Sequence, residues 1–291
     1  MVLLLGLAAA ALYGTGDFLG GLATRKVPVL AVLLLAQTAG VIVALPAAAM
    51  WRGPASLTGL AWGTSAGLVG GAGVIIFYLG LAAGPMSVVA PVSGLVSTVL
   101  PVAVALAEGE RPGIGVYMGA LLCLAAVVLT SSAGGDTPAR SPRAAPRRRL
   151  PGASRALGYG IASGASFGLF FLLIRNAGQS GGELWPVAAA RTGELAVVLI
   201  TAAVLRRSPR PRGAQPRLRL AAAAAGVIDV TANICYAAAA RTGMFGLAVV
   251  LASLYPAVTV LLARVVLGER LRWVQRAGLG LAAIGIILAT T

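Results

Sequence analysis

Ten apolar runs, each long enough to cross a bilayer, constrain this chain more than any other feature of its sequence. They fall at 2–23, 28–50, 58–81, 86–107, 113–133, 156–175, 184–205, 219–240, 245–267 and 272–290. A helix needs about 20 apolar residues to cross a hydrocarbon core of roughly 30 Å. In lipid every backbone polar group must be satisfied internally, so a spanning segment is either a helix or part of a closed barrel. The runs do not alternate with a period of two, which leaves helices. Only 11% of the residues are charged, against roughly 25% in a soluble domain, and the mean hydropathy is +0.92. The expectation is an all-α integral membrane protein of ten transmembrane helices, with no length left for a soluble catalytic domain.

The first run, from Met1 to Ala11, lacks the positively charged start of a cleaved signal peptide and has an internal counterpart, so it is read as a mature helix. A net charge of +15 and a sequence pI near 11.5 would suggest nucleic acid in a soluble protein. Here the arginines cluster in short gaps between apolar runs, and membrane topology explains them better. Lipid bilayer and a small solute are therefore the expected partners, without nucleic acid, for a monomer or homodimer. Cys123 and Cys235 lie inside apolar runs and read as small buried hydrophobes. The chain has no histidine, the commonest metal ligand and acid–base group. No metal, cofactor or catalytic residue is expected.

Two gaps are long, basic and proline-containing, Ala133–Arg155 and Arg206–Arg219, and read as extended loops. The first divides the chain into residues 1–133, a linker at 134–155, and residues 156–291. Shifting the chain by 159 residues lays Gly67 on Gly226, Phe77 on Tyr236, and Gly109-Glu110-Arg111 on Gly268-Glu269-Arg270. Earlier in each half the shift is 154, and lays Gly6 on Gly160, Tyr13-Gly14 on Phe167-Gly168, and Gln37 on Arg191. Five helices is an odd number, so the second repeat must enter the membrane in the opposite sense. Inverted pairs of this kind are common in transporters, with the site near the midplane between the halves.

Several residues are candidates for that site. Asp17 and Asp229 are carboxylates within helices, where a charge costs about 2.5–3.5 kcal/mol on insertion scales. Each is a candidate for proton or ion coupling. For Asp17 the alternative is an interfacial carboxylate paired with Arg25 or Lys26; for Asp229 it is a structural interhelical hydrogen bond. Asp229, Asn233 and Tyr236 share one helical face. Arg191 and Glu194 lie three residues apart, either as a structural pair or as an anion-recognising arginine with its counter-ion. Gln37, the repeat counterpart of Arg191, joins them as a solute contact. Tyr13, Trp62, Tyr78 and Tyr255 are further candidates to line the path, or else interface anchors. Pro91, Pro101 and Pro256 can kink their helices. Glu110 and Glu269 read as structural turn residues. Asp17, Asp229 and Arg191 have Phe171, Gly70 and Gln37 as counterparts, so the charged chemistry is not repeated.

The run Leu254-Tyr255-Pro256-Ala257-Val258 through Gly268-Glu269-Arg270, then Gln275 and Gly278, resembles the pattern of EamA-type transporters of the drug/metabolite transporter superfamily. Gly109-Glu110-Arg111 and Gly119 resemble it in the first half, which departs at Ser97 where the proline would fall. Tyr13-Gly14 and Phe167-Gly168 resemble the family's aromatic-Gly signature. The resemblance covers nearly the whole chain and implies ten helices and metabolite transport, often outward; it implies no particular substrate. A secondary transporter of a small polar metabolite, amino acid or drug-like solute is the leading reading. No P-loop motif is present, so a gradient must supply the energy. The competing readings are an integral membrane enzyme acting on lipid-linked substrates and a non-transporting scaffold.

Seventeen of the 23 basic residues fall in odd-numbered loops. Excess Lys and Arg mark cytoplasmic loops, which puts both termini outside, most simply at a bacterial plasma membrane. A reporter that works only in the cytoplasm should be silent when fused after Thr291; activity there would overturn this orientation.

Overall fold

The computed structural model describes residues 1–24, 26–50, 53, 55–83, 86–109, 113–132, 152–182, 184–206, 215–267 and 273–288. Every regular element among them is a helix: α1 (Val2–Thr24), α2 (Val29–Met50), α3 (Leu57–Ala83), α4 (Met86–Ala107), α5 (Ile114–Ser132), α6 (Gly152–Gly181), α7 (Leu184–Val204), α8 (Pro216–Ala240), α9 (Phe245–Ala252), α10 (Tyr255–Leu267) and α11 (Trp273–Leu288). Six of these, α1, α2, α3, α6, α7 and α8, are both long and apolar enough to cross a membrane. Large apolar side chains such as Leu4, Ile42, Ile200 and Val265 lie exposed on the outside of the bundle. In water such a surface would be a liability; in lipid it is the solvated state.

Two expectations change. The ninth apolar run is two helices. Pro256 has no N–H to offer the carbonyl four residues back, so the helix stops at Ala252, turns through Ser253 and Leu254, and restarts with Pro256 in the first turn of α10. The turn is closed by Leu254 N–H donating to Leu251 O at 3.2 Å and Ala257 N–H donating to Leu254 O at 3.0 Å. The basic gaps are also shorter than expected, because α6 already runs from Gly152 and α8 from Pro216. Arg155, Arg217 and Arg219 are helical. Glu110, Glu269 and the Arg25 partner considered for Asp17 lie outside the described residues.

The helix ends gather at two faces. Ser56, just before α3, donates to the carbonyl of Ser180 near the end of α6 at 2.6 Å. Glu108, at the end of α4, pairs with Arg175 of α6 at 2.6 Å. At the other face Ala23 and Val27, around the end of α1, pack with Ala222 in the early turns of α8. The starts of α3 and α7 and the ends of α2, α4, α6 and α8 thus share one face, and the end of α1 meets the start of α8 at the opposite one.

Glycine lets helices from the two halves come into backbone contact. A Cβ on Gly6 would stand 2.8 Å from Cβ of Leu251, and one on Gly160 would stand 2.9 Å from Cβ of Val92. A Cβ on Gly67 would run into the carbonyl of Ala190, and one on Gly226 into the carbonyl of Ala36. Gly6 with Leu251 is the counterpart of Gly160 with Val92 under the shifts found in the sequence, and Gly67 with Ala190 is the counterpart of Gly226 with Ala36. The same contact is therefore made twice, each time between the two halves.

Overpacking a tight contact costs about 1–3 kcal/mol, occasionally more. Gly226→Leu should lower the melting temperature of the detergent-solubilised chain clearly. Gly158→Leu should leave it nearly unchanged, because nothing stands within 4 Å of a Cβ there. Equal melting temperatures for the two variants would contradict the packing.

Candidate functional site

Arg191 is the largest fully buried side chain in the described structure, at 2% exposure. A guanidinium cannot lose its proton to escape burial, so it must be met by acceptors. Its Nη1 faces three: Glu194 Oε2 at 2.6 Å, Asp229 Oδ2 at 2.5 Å and Gln37 Oε1 at 3.2 Å. Helical spacing explains the first, since residues three apart on α7 share a face. The second brings α8 to α7, and the third brings in α2. The Gln37 amide also reaches Glu194. Nε has no partner; next to it, Cδ lies 3.3 Å from where a Cβ on Gly40 would be, so packing closes that side.

Asp229 differs from its partners in being open. Its side chain is 34% exposed, against 4% for that of Glu194. From Asp229 onward to the end of α8, Asn233, Tyr236, Ala237, Ala239 and Ala240 are buried. Asn233 donates from Nδ2 to the Asp229 carbonyl at 3.0 Å and accepts at Oδ1 from the Tyr13 hydroxyl at 2.5 Å. Tyr13 thereby ties α1 to α8. Its ring stands edge-on to Phe171 at 6.2 Å and to Tyr255 at 6.5 Å. Tyr236 stacks obliquely on Phe171 at 4.6 Å and donates to the Phe171 carbonyl at 3.3 Å.

Asp17 lies one turn beyond Tyr13 on α1, half-buried, and makes no hydrogen bond or ion pair among the described residues. A pairing with Lys26, which is exposed, is not made. Asp17 is close enough to Asp229, Tyr78 and Tyr255 for its charge to act on them. The Tyr78 hydroxyl reaches α1 against Gly20.

Of the residues expected at a site, Tyr13, Gln37, Arg191, Glu194, Asp229, Asn233, Tyr236 and Tyr255 come together through hydrogen bonds, ion pairs and ring contacts, with Asp17 one turn along α1 from Tyr13 and Tyr78 against α1 at Gly20. Trp62 does not. It is 38% exposed, near the start of α3, where a large amphipathic ring fits the interface role. Both carboxylates and Gln37 meet Arg191 at one nitrogen, Nη1. Phe171 belongs to the cluster and was not singled out in the sequence; as the apolar counterpart of Asp17 it carried no polar signal.

A second charged contact closes the face where α4 and α6 end. Arg175 lies over the Phe245 ring at 4.2 Å as well as pairing with Glu108. A cavity of about 270 Å³ beside it is lined by Arg175, Gln179, Arg241, Gly243 and Phe245, among others. The hydrogen bond from Arg175 holds the Glu108 carboxyl below the usual carboxylate range. The pair is therefore intact above that range and is lost only as pH falls through the lowered value.

Removing one partner of a buried ion pair costs about 3–5 kcal/mol, because the other charge is stranded. Arg191→Met should destabilise the chain by roughly that amount in detergent melts. Adding Glu194→Gln and Asp229→Asn to Arg191→Met should recover most of it. No recovery in the triple variant would show that Arg191 supports the fold by packing and not by charge.

The comparisons with known proteins agree with this architecture. No curated protein matches the chain significantly. Among 26 matching solved chains, one described only as the crystal structure of a protein aligns with a TM-score of 0.76 at 20% identity, covering 99% of this chain and 98% of its own. At that identity the match speaks for the fold alone. The model of the EamA-like transporter family matches residues 1–132 and 154–291. The chain belongs to the EamA-like transporter family, within the drug/metabolite transporter superfamily, and is a membrane protein of transporter type.

Proposed function

We propose that this chain is a secondary transporter that moves a small solute by alternating access about a site centred on Arg191 and Asp229. Ten spans form two five-helix repeats, at 1–133 and 156–291, joined by the linker at 134–155 and inserted in opposite senses. One observation carries the reading: Gln37 and Arg191, counterparts in the two repeats, touch each other at 3.2 Å. Two positions related by a two-fold axis can meet only close to that axis. The paired glycine contacts and the gathering of helix ends at two faces support the same arrangement. The charged cluster then lies where the halves meet, as the midplane sites of inverted-repeat transporters do.

In this mechanism the halves rock against each other about Gln37–Arg191 and Tyr13–Asn233. Asp229 and Asp17, the two least enclosed carboxylates of the cluster, carry the coupling proton or cation. Arg191, Glu194, Gln37, Asn233 and the rings of Tyr13, Tyr78, Tyr236 and Tyr255 form the solute compartment. The buried end of α8 and the Glu108–Arg175–Phe245 contact close the path at one face, leaving the way to Asp229 from the face where α1 ends. The basic-loop bias makes that face cytoplasmic, which suits loading for export. A proton reaching Asp229 weakens its hold on Arg191 and frees α7 and α8 to move apart.

Asp229→Asn should abolish gradient-driven flux in proteoliposomes and leave expression and melting temperature within a small margin of the parent, since Glu194 still meets Arg191. Flux that continues to respond to a pH gradient in this variant would remove Asp229 from the coupling step.

A further inference from the structure

We propose that the cavity beside Arg175 is a binding site for a phosphate-type oxyanion, separate from the compartment around Arg191 and independent of the transporter reading. The cavity holds about 270 Å³. That is a little under the roughly 300–1,000 Å³ of pockets that take drug-sized ligands, and suits a single anionic group. Helix α6 supplies one wall. Arg175 and Gln179 both line it, and residues four apart on a helix share a face. The turn after α8 supplies the other wall. Gly243 takes φ +88°, a left-handed conformation open to glycine without strain. The turn it allows lets Arg241, before it, and Phe245, after it, line the same space. Cδ of Arg241 lies 3.8 Å from where a Cβ on Gly178 would stand, so its stem runs against α6.

The chemistry of this lining is one-sided. Two guanidinium groups and one amide contribute to it, and no carboxylate does among the described residues. Planar guanidinium forks match the spacing of phosphate and carboxylate oxygens. Helix α9 starts at Phe245, so the partial positive charge of its first turn adjoins the cavity, and its N-cap Met244 makes no side-chain cap hydrogen bond. This offsets the partial negative charge at the end of α8, where Arg241 is the C-cap. A second observation points to an occupant. Nε of Arg175 is buried and has no hydrogen-bond partner among the described residues. The group is fixed in place by Glu108, which meets Nη2 at 2.6 Å, and by the Phe245 ring, 4.2 Å away. Glu108 is 49% exposed, so water screens much of its charge. The ring attracts the cation from its face but gives the Nε–H no oxygen to donate to. A charged donor left buried without an acceptor is costly. An oxyanion in the cavity supplies that acceptor, with Arg241 and Gln179 as further donors.

A free phosphate and the head group of an anionic phospholipid present the same oxygens, and the test separates them. The full chain, stripped of lipid in a neutral detergent, is titrated by calorimetry in chloride buffer at constant ionic strength. One arm uses inorganic phosphate; the other uses dihexanoylphosphatidylglycerol below its micelle concentration. Saturable binding of phosphate assigns the site to a free oxyanion, and binding of the lipid alone assigns it to a head group; either supports the site. Arg241→Gln should weaken that binding at least about tenfold, the loss expected from one charge-assisted hydrogen bond. Gln179→Leu, at an exposed position on α6, should weaken it less, and gives the same reading should Arg241→Gln fail to fold. Arg217→Gln removes an equal charge from the exposed start of α8, at the opposite face, and should leave the affinity unchanged. The proposal fails if neither ligand binds in the presence of chloride. It fails equally if binding is untouched by both cavity variants, or if Arg217→Gln lowers it as much as Arg241→Gln does.

Discussion

A guanidinium that cannot deprotonate, held in the middle of an apolar bundle, sets the terms for the rest of this molecule. Burying Arg191 takes its charge out of water at a cost of several kcal/mol even after relaxation. The compensation is assembled from three helices at once: Glu194 from α7 itself, Asp229 from α8 and Gln37 from α2. Moving α7 from α8 would strand a charge, and moving α2 away would cost the guanidinium an acceptor. The pair is therefore both a staple and a candidate trigger. Whatever alters the charge on Asp229, its exposed member, alters the force holding α7 against α8.

Bringing those helices close enough requires small residues as much as charges. Lipid supplies no hydrophobic drive for helices to associate, so van der Waals contact and polar pairing must supply it. The backbone contacts at Gly67 and Gly226 bring α3 onto α7 and α2 onto α8. They lie on the same helices as the charged cluster, and set the separation across which Arg191 reaches Asp229. The break between α9 and α10 makes a related contribution. Thr259 donates both to the Gly14 carbonyl at 3.1 Å and to the Tyr255 carbonyl at 3.0 Å, which joins the restarted helix to α1 directly beside Tyr13.

Much of this was legible in the sequence, and the reasons are physical. Spanning helices announce themselves because lipid forbids any other backbone solution, so the apolar runs fall on the helices observed, apart from the ninth, which is divided at Pro256. The recurring glycines were legible because glycine at a backbone contact, such as Gly67 or Gly226, cannot be replaced by anything larger. Arg191 with Glu194 could be read from helical spacing alone. What could not be read was contact between distant helices. Nothing in the local sequence of Asp229 says that it faces Arg191, nor that Tyr13 bonds Asn233, because those distances depend on how α1, α2, α7 and α8 cross. Trp62 misled for the same reason. A tryptophan signals amphipathic placement, and only the packed bundle decides whether it points inward. Nor does the local sequence of Arg175 say that folding brings Glu108 and Phe245 to it.

Under the proposed two-fold relation of the halves, their unequal chemistry follows from the axis on which it sits. The counterparts of Arg191, Glu194 and Asp229 are Gln37, Gly40 and Gly70. Gly40 lies against Arg191, and a Cβ on Gly70 would stand 3.1 Å from Glu194 Oε1. Arg191 and Glu194 thus occupy space that side chains at Gly40 and Gly70 would need. Near a two-fold axis, two symmetry-related positions share one volume, and a second arginine there would bring a like charge into contact with the first. A repeat that kept its charged set in both halves could not close. Divergence at these positions is therefore a packing requirement. It leaves one half to supply the charges and the other to supply the room, with Gln37 as the neutral partner that can accept from the guanidinium and donate to the carboxylate at once.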